Sequence, residues 1–327
     1  MMAHRQSSTA TIVLVLLTVY ALWGSSFAAI KIAMEAMPPF ALLAIRWIVA
    51  GALLYAWSSW REARSGEHLE WRHWRSAFFI GGAVIVGGIG GVAFAEQSLP
   101  SGTAALLVST SPAWALLISY GVWRERIAWP TAIGLVIGLG GLALLVHPTH
   151  ADHFSPIGVT VGVAAAISWA VGSVYTPRVA LPRSPALSAS MQMLAAGVIL
   201  LAAALTTGEI RRVHWTWDAG LALVYLTMFS SLIGFIAYTW LLSELPITIS
   251  STVAYVAPVV AVFVGWQMLH ERVTPSTLLA TGIVLLGVAL MMVTRTRSRP
   301  QRSGNAAPSL PPLQSVTEMD ALYCDCP

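Results

Sequence analysis

Residues 99–126 read LPSGTAALLVSTSPAWALLISYGVWRER, and residues 245–272 read LPITISSTVAYVAPVVAVFVGWQMLHER. At the offset of 146 between them, Leu99 and Pro100 fall on Leu245 and Pro246, Pro112 on Pro258, and Glu125 and Arg126 on Glu271 and Arg272. Outward from this pair the register holds: Thr131 falls on Thr277, Gly141 on Gly287, Ala143 on Ala289, and upstream Ala50 and Gly51 on Ala196 and Gly197. Apolar sequences resemble one another by chance, but two ordered prolines and an acidic-basic pair in one register do not arise that way. The chain is a duplicated unit.

Composition decides its solvent. With 57% hydrophobic and 10% charged residues and a mean hydropathy of +0.73, its exterior cannot face water. In hydrocarbon every backbone N–H and C=O must be paired internally, which leaves helices or closed barrels. The apolar runs last for about 20 residues, the length of a helix crossing the bilayer, rather than alternating over about 10 as barrel strands do. Ten such runs are predicted, at 11–34, 40–60, 76–95, 102–122, 129–147, 156–176, 187–206, 217–242, 247–268 and 275–294. The expected fold is an all-α integral membrane protein of ten transmembrane helices, arranged as two five-helix repeats, 11–147 and 156–294, around a central cavity. Residues 1–10 form a short N-terminal segment, and the Arg-, Pro- and Ser-rich stretch 295–327 is expected to be a disordered tail.

Orientation follows from where Lys and Arg collect. With the N-terminus in the cytoplasm, thirteen of the eighteen basic residues fall on the cytoplasmic side, among them Arg61, Arg72, Arg124, Arg178 and Arg295. Lys31, Arg46, Arg211, Arg212 and Arg272 fall on the far side. Ten crossings return the C-terminus to the cytoplasm, so a multipass inner (plasma) membrane protein with both termini inside is expected. The net charge of +4 reflects topology and contact with the lipid bilayer, not nucleic acid.

An odd number of crossings per repeat means that the second copy enters the bilayer from the opposite side. The halves are then related by an axis in the membrane plane, the inverted-topology arrangement that supports alternating access with a substrate site near the midplane. Pro112 and Pro258 lie near the centres of the fourth and ninth runs as candidate hinges. Each removes an N–H and frees the carbonyl four residues back, on Val108 and Ala254. Gly134 and Gly138 have GxxxG spacing, which points to close intramolecular helix packing. Gly81, Gly82, Gly87, Gly88, Gly90 and Gly91 crowd the third run, for packing or for bending.

The residues also resemble a known family. Tyr20-Ala-Leu-Trp-Gly-Ser-Ser-Phe27, then Lys31, Pro38-Pro39, Arg46-Trp47 and Ala50-Gly51, are similar to the opening of an EamA domain. So are Glu96 to Pro100 before Thr103-Ala-Ala-Leu106, then Ser111-Pro112 and Arg124-Glu125-Arg126. The pattern recurs through Trp169, Gly172-Ser173, Leu245-Pro246, Pro258 and Glu271-Arg272, so that the resemblance covers roughly 11–294. Membership in that family, within the drug/metabolite transporter superfamily, implies ten helices, cytoplasmic termini and export of amino acids or related metabolites, with the aromatic amino acid exporters as the described type it brings closest. The second copy carries Trp169-Ala-Val-Gly-Ser in place of the Trp-Gly-Ser-Ser run and lacks the lysine, so a symmetrical ligand cage is not implied.

Candidate substrate-binding residues are polar or aromatic groups that lipid would reject. Helical periodicity places Tyr20, Trp23, Phe27 and Lys31 on one stripe of the first run, and Trp169, Ser173 and Thr176 on one stripe of the sixth. Tyr238 and Tyr255 join them at repeat-facing depths. Such walls suit a planar or amphipathic small molecule. Trp57, Trp60, Trp71, Trp74, Trp215 and Trp217 sit at helix ends and belong to an interfacial belt. Among ionisable groups near the hydrocarbon, Lys31, Arg46, Glu96 and Glu244, the best candidate for an amino-group or proton site is Glu96; the others read as snorkelling or interhelical pairs. Glu125 with Arg126 and Glu271 with Arg272 read as loop-anchoring pairs.

Catalytic chemistry finds no motif. No nucleotide-binding glycine loop opens a helix. His147, His150, Asp152 and His153 form a solvated loop rather than a metal site, and Cys324 and Cys326 lie in the tail. No cofactor and no metal is expected. The function expected is secondary transport, exporting small amphipathic metabolites with aromatic or neutral amino acids first, by a monomer or homodimer. The alternatives are uptake or exchange of purines, sugars or organic acids, a channel, or a multipass membrane enzyme.

Overall fold

The computed structural model describes residues 8–62, 69–124, 129–146, 155–244 and 253–297. Glu125 and Arg126, the histidine loop, Ser250 to Thr252 and the cysteine-bearing tail lie outside the described residues. The helices are α1 (Thr9–Met34), α2 (Pro39–Glu62), α3 (Trp71–Ala95), α4 (Ser101–Trp123), α5 (Trp129–Val146), α6 (Pro156–Tyr175), α7 (Pro185–Thr206), α8 (217–244), α9 (Val253–Leu269) and α10 (Pro275–Arg297). Strands are absent among the described residues. Seven of these helices are long and apolar enough to cross a membrane, and shorter apolar cores on α5, α9 and α10 complete the expected set.

Helix starts follow local chemistry. Ser8, Ser155, Ser184 and Thr216 accept from the first-turn N–H groups of α1, α6, α7 and α8, and Pro156 and Pro185 occupy first positions where a missing N–H costs nothing. Large hydrophobic side chains also cover the exterior. Leu14, Leu17, Phe263, Leu278 and Leu286 are exposed, as lipid and not water requires, while Trp57, Trp60, Trp71, Trp215 and Trp217 stand exposed at helix ends as the belt reading expects. Trp74 instead packs on Tyr55, with ring centroids 6.1 Å apart.

The duplication is visible in space. A Cβ on Gly51 would stand 2.9 Å from the backbone N of Leu194, and a Cβ on Gly197 would stand 2.9 Å from the backbone N of Ile48. Residues 51 and 197 are equivalents, as are 48 and 194, so the contact is reciprocal, the relation a two-fold axis demands. It joins α2 to α7. The α5–α10 contact behaves likewise, with Gly141 against Val284 and Gly287 against Gly138 and Gly134, which also accounts for the GxxxG spacing as packing inside the chain. Arg124 and His270, again equivalents, both end their helices in the left-handed region, at φ 53° and 52°. Non-glycine residues seldom adopt that conformation, and both repeats do so at the same place.

Two features set the centre of the bundle apart. Residues Gly82–Gly90 of α3 and Tyr225–Ile233 of α8 are π-helical, a wide and uncommon form that concentrates at functional positions. The glycine density of the third run serves both packing and this local widening: Gly87, Gly88 and Gly91 lie against Ser168, Trp169 and Ala165 of α6. In α4 the helix breaks at Ser109 and Thr110, immediately before Pro112, whereas Pro258 lies inside the unbroken helix α9. The two candidate hinges are therefore not structurally equivalent.

Candidate functional site

A cavity of about 560 Å³ lies between the repeats, walled by α1, α2, α3 and α4 of the first and α6, α7, α8 and α9 of the second. Both π-helical segments face it, through Val84, Ile85 and Ile89 on one side and Ser230 and Ser231 on the other. Each is held by a donor from the leading helix of the opposite repeat. Trp23 Nε1 donates to Ser230 O at 3.3 Å, and Ser168 Oγ donates to Ala83 O at 2.8 Å. Reciprocity extends to the indoles: Trp23 packs over Gly234, and its equivalent Trp169 packs over Gly88, the equivalent of Gly234. The cavity thus lies on the pseudo-two-fold axis.

Of the candidate residues, the cavity wall brings together Trp23, Phe27, Trp169, Ser173 and Tyr238, with Pro112 and Pro258. Trp23 and Tyr238 make a tilted aromatic pair with centroids 4.8 Å apart, and Ser173 Oγ donates to Trp169 O at 2.8 Å. Tyr20 is placed elsewhere, beside Val19, Leu241 and Val253 in an apolar cluster behind Trp23. The side chain of Tyr255 lies outside the described residues. Glu96 is 2% exposed at the end of α3, outside the wall, and neither carboxylate oxygen has a hydrogen-bond partner among the described residues. Arg46, Lys31 and Glu271 are the charges within its electrostatic reach.

Sequence reasoning placed Arg46 among snorkelling or interhelical groups, and the structure puts it on the cavity wall. It is 4% exposed. Its Nε donates to Ser231 Oγ at 2.9 Å and one terminal nitrogen to Ser230 Oγ at 3.4 Å, while the guanidinium lies 4.5 Å over the Trp47 ring. The other terminal nitrogen and Trp47 Nε1 have no hydrogen-bond partner among the described residues. Gln192, the equivalent of Arg46 in the second repeat, also lines the wall. The signal that could have found this site was the consecutive serines Ser230-Ser231 in an apolar run, on a helix that must face a buried cation.

Beyond the cavity wall lie two clusters of different chemistry, at opposite ends of the helices that line it. At one end Lys31 Nζ on α1 meets Glu271 Oε1 at 2.9 Å and donates to Leu99 O at 3.2 Å. Glu271 also accepts from Ser101 N at 2.7 Å and Ser101 Oγ at 2.9 Å at the start of α4. Burial pushes this carboxyl up, but the hydrogen bonds from Lys31 and Ser101 and the Lys31 charge outweigh it and hold it below its ordinary value. The expected Glu271–Arg272 pair gives way to a pair between repeats, because Lys31 is the cation that α1 delivers beside the α4 terminus. At the other end Tyr175 of α6 packs on Phe79 of α3 and Trp123 of α4, at 5.6 Å and 5.2 Å between centroids, and Arg178 lies 4.1 Å over the Trp123 ring.

A duplicated ten-helix bundle with a cavity on its internal axis defines a membrane transporter of the inverted-repeat class. The chain belongs to the EamA-like transporter family, whose model matches residues 10–147 and again 156–293. It is 34% identical over 280 residues to the uncharacterized inner membrane transporter YedA of Escherichia coli, covering 84% of this chain and 89% of that one. It is 22% identical to the uncharacterized transporter YoaV of Bacillus subtilis, over 88% of this chain and 99% of that one. A solved crystal structure shares the fold, with a TM-score of 0.58 at 22% identity over 90% of this chain and 100% of its own.

Proposed function

We propose that this chain is a secondary transporter of the inner membrane that exports small amphipathic metabolites, aromatic or neutral amino acids first, by alternating access. The observation that carries this reading is the reciprocal packing of Trp23 on Gly234 and Trp169 on Gly88 about one cavity. Equivalent walls facing each other across an axis can exchange roles, which gives inward-open and outward-open states of comparable energy. The thirteen-to-five distribution of basic residues supports cytoplasmic termini, and the Lys31–Glu271 end then faces away from the cytoplasm. In that orientation the ion pair closes the exit, and the Phe79–Tyr175–Trp123 group flanks the entry. Glu96, buried with no hydrogen-bond partner among the described residues and within electrostatic reach of both Arg46 and the ion pair, is the group best suited to carry a proton in exchange for substrate.

Counterflow in proteoliposomes tests the reading. Vesicles loaded with unlabelled amino acid should accumulate labelled amino acid transiently, and the rate should saturate. Linear flux without counterflow would mark a channel and end the carrier reading. A panel extended to purines, sugars and organic acids identifies the substrate class by competition.

A further inference from the structure

We propose that Arg46 anchors the carboxylate of the transported molecule, and that the site requires this carboxylate but not an α-amino group. The inference rests on the cavity being the substrate site, as just proposed.

Arg46 is the one charged side chain on the described cavity wall. Two of its three guanidinium nitrogens are engaged, and both go to serine hydroxyls, which supply lone pairs but no charge. Ser231 and Ser230 therefore orient the group without neutralising it. No acid among the described residues forms an ion pair with it; the described pairs are Lys31–Glu271 and Arg72–Glu70, and Glu96 makes no hydrogen bond to it. Glu96 is the acid within its electrostatic reach but does not bond to it, and a buried cation in a membrane protein that no acid contacts is costly, the mark of a ligand pathway. Among the described residues the remaining terminal nitrogen lacks a hydrogen-bond partner, and so does Trp47 Nε1 beside it. Both are sealed from solvent in this conformation, so a carboxylate engages them through a turn of the Arg46 side chain toward the cavity it lines, where two acceptor oxygens match the unmet donors.

The rest of the wall specifies what the carboxylate is attached to. Trp23, Phe27, Tyr238 and Trp169 offer aromatic faces, and a volume of about 560 Å³ accepts an aryl or branched apolar body. No acidic side chain lies on the described wall, so an ammonium group finds no opposing charge there. An amino acid is then held through its carboxylate and apolar side chain, and 2-oxo or simple aryl acids fit as well. The donor set therefore selects monocarboxylates with an apolar body.

Ligand binding to the purified full-length chain in nanodiscs, by calorimetry and thermal shift, tests this with one aryl scaffold in four forms: 3-phenylpropanoate, phenylalanine, 3-phenylpropanamide and phenethylamine. The two carboxylates should bind with similar affinity, and the amide and amine at least tenfold more weakly. Equal binding of amide and carboxylate, tighter binding of the amine, or binding of none of the four would overturn the proposal. Arg46→Gln should erase the gap between carboxylate and amide, and Arg46→Lys should retain part of it. Should the variants not fold, the ligand series on the unmodified chain decides alone. Counterflow with the same ligands separates the two readings. Saturable transport that ignores the carboxylate removes the Arg46 role and leaves the carrier, whereas carboxylate-selective binding without counterflow leaves the site and removes the carrier.

Discussion

Lys31 and Glu271 lie 240 residues apart in sequence and 2.9 Å apart in space, and they tie α1 of the first repeat to the α9–α10 connection of the second. The Lys31 side chain is 31% exposed and that of Glu271 9% exposed, so the pair is half-sheltered rather than superficial. Because Glu271 also receives Ser101 N and Oγ, it binds two elements of the first repeat at once. Any motion that parts the repeats at this end must break all of these bonds together.

Removing the acid should therefore loosen this end selectively. Glu271→Gln keeps the shape but removes the charge, and we expect it to cost about 2 kcal/mol, between the values typical of exposed and buried pairs. The readout is access to the cavity. With Cys324 and Cys326 replaced by serine, an Ile30→Cys reporter on the wall should react several-fold faster with a membrane-impermeant thiol reagent in the Glu271→Gln background. Unchanged labelling would mean that the pair is not a closure.

The same pair sets a pH dependence whose sign is fixed. Glu271 has a carboxyl held below its ordinary value of 4.5 by Lys31 and Ser101, so its stabilising contribution is complete above that value. It is lost as pH falls through the lower, folded value. Thermal unfolding of the unmodified chain and of Glu271→Gln should differ by a constant amount from pH 7 to about 5, and the gap should close only in more acid solution. A gap that opens toward low pH would contradict the assignment.

Much of this fold is readable from the chain because hydrocarbon leaves few alternatives. Apolar length gave the helices, and the shared positions of Pro112 and Pro258 and of Glu125 and Glu271 gave the repeat. The aromatic stripe of Trp23 and Phe27 was legible for the same reason, since a helix turns at a fixed rate. What could not be read was partnership. Arg46 and Ser231 are 185 residues apart, and no local pattern says which serine meets which cation. Nor does sequence say that Tyr20, one turn from Trp23, packs behind the wall and not on it. The interruption of α4 at Ser109 and Thr110 beside a continuous α9 is likewise a product of packing, since both runs carry the same proline.

Trp23 is held by its bond to Ser230 O and by the absence of a side chain at Gly234, where a Cβ would stand 2.7 Å from the indole nitrogen. Trp23→Ala should raise the half-saturation concentration for transport about tenfold, with insertion unaffected, because the wall loses an indole face. Gly234→Ala should act in the same direction through displacement of the ring, and Gly88→Ala, against Trp169 at 3.0 Å, more weakly. Initial-rate transport across a substrate series measures all three; equal kinetics in Trp23→Ala would take the indole out of the site.

The prolines should not behave alike. Pro112 follows a break in α4, so Pro112→Ala permits the helix to close through Ser109 and Thr110, straightening a segment that lines the cavity. We expect it to slow turnover several-fold with little change in half-saturation. Pro258 sits within an unbroken helix, and Pro258→Ala should restore one backbone bond and leave transport within about twofold of the unmodified rate. Equal slowing by both substitutions would show that the difference between α4 and α9 has no functional weight.

Glu96 supplies the sharpest test of what drives the cycle. Its two buried oxygens have no hydrogen-bond partner among the described residues, and it senses Arg46 on the cavity side and Lys31 and Glu271 on the side of the ion pair. In an exchange cycle this carboxylate holds its proton in the empty carrier and gives it up when substrate binds, so that the two fluxes run in opposite directions. Glu96→Gln fixes the neutral form in the same shape. Exchange of substrate for substrate, which needs no net proton movement, should continue, while net export driven by an imposed pH gradient should fall at least tenfold. Net export that keeps its dependence on the gradient in Glu96→Gln would assign proton movement to another group.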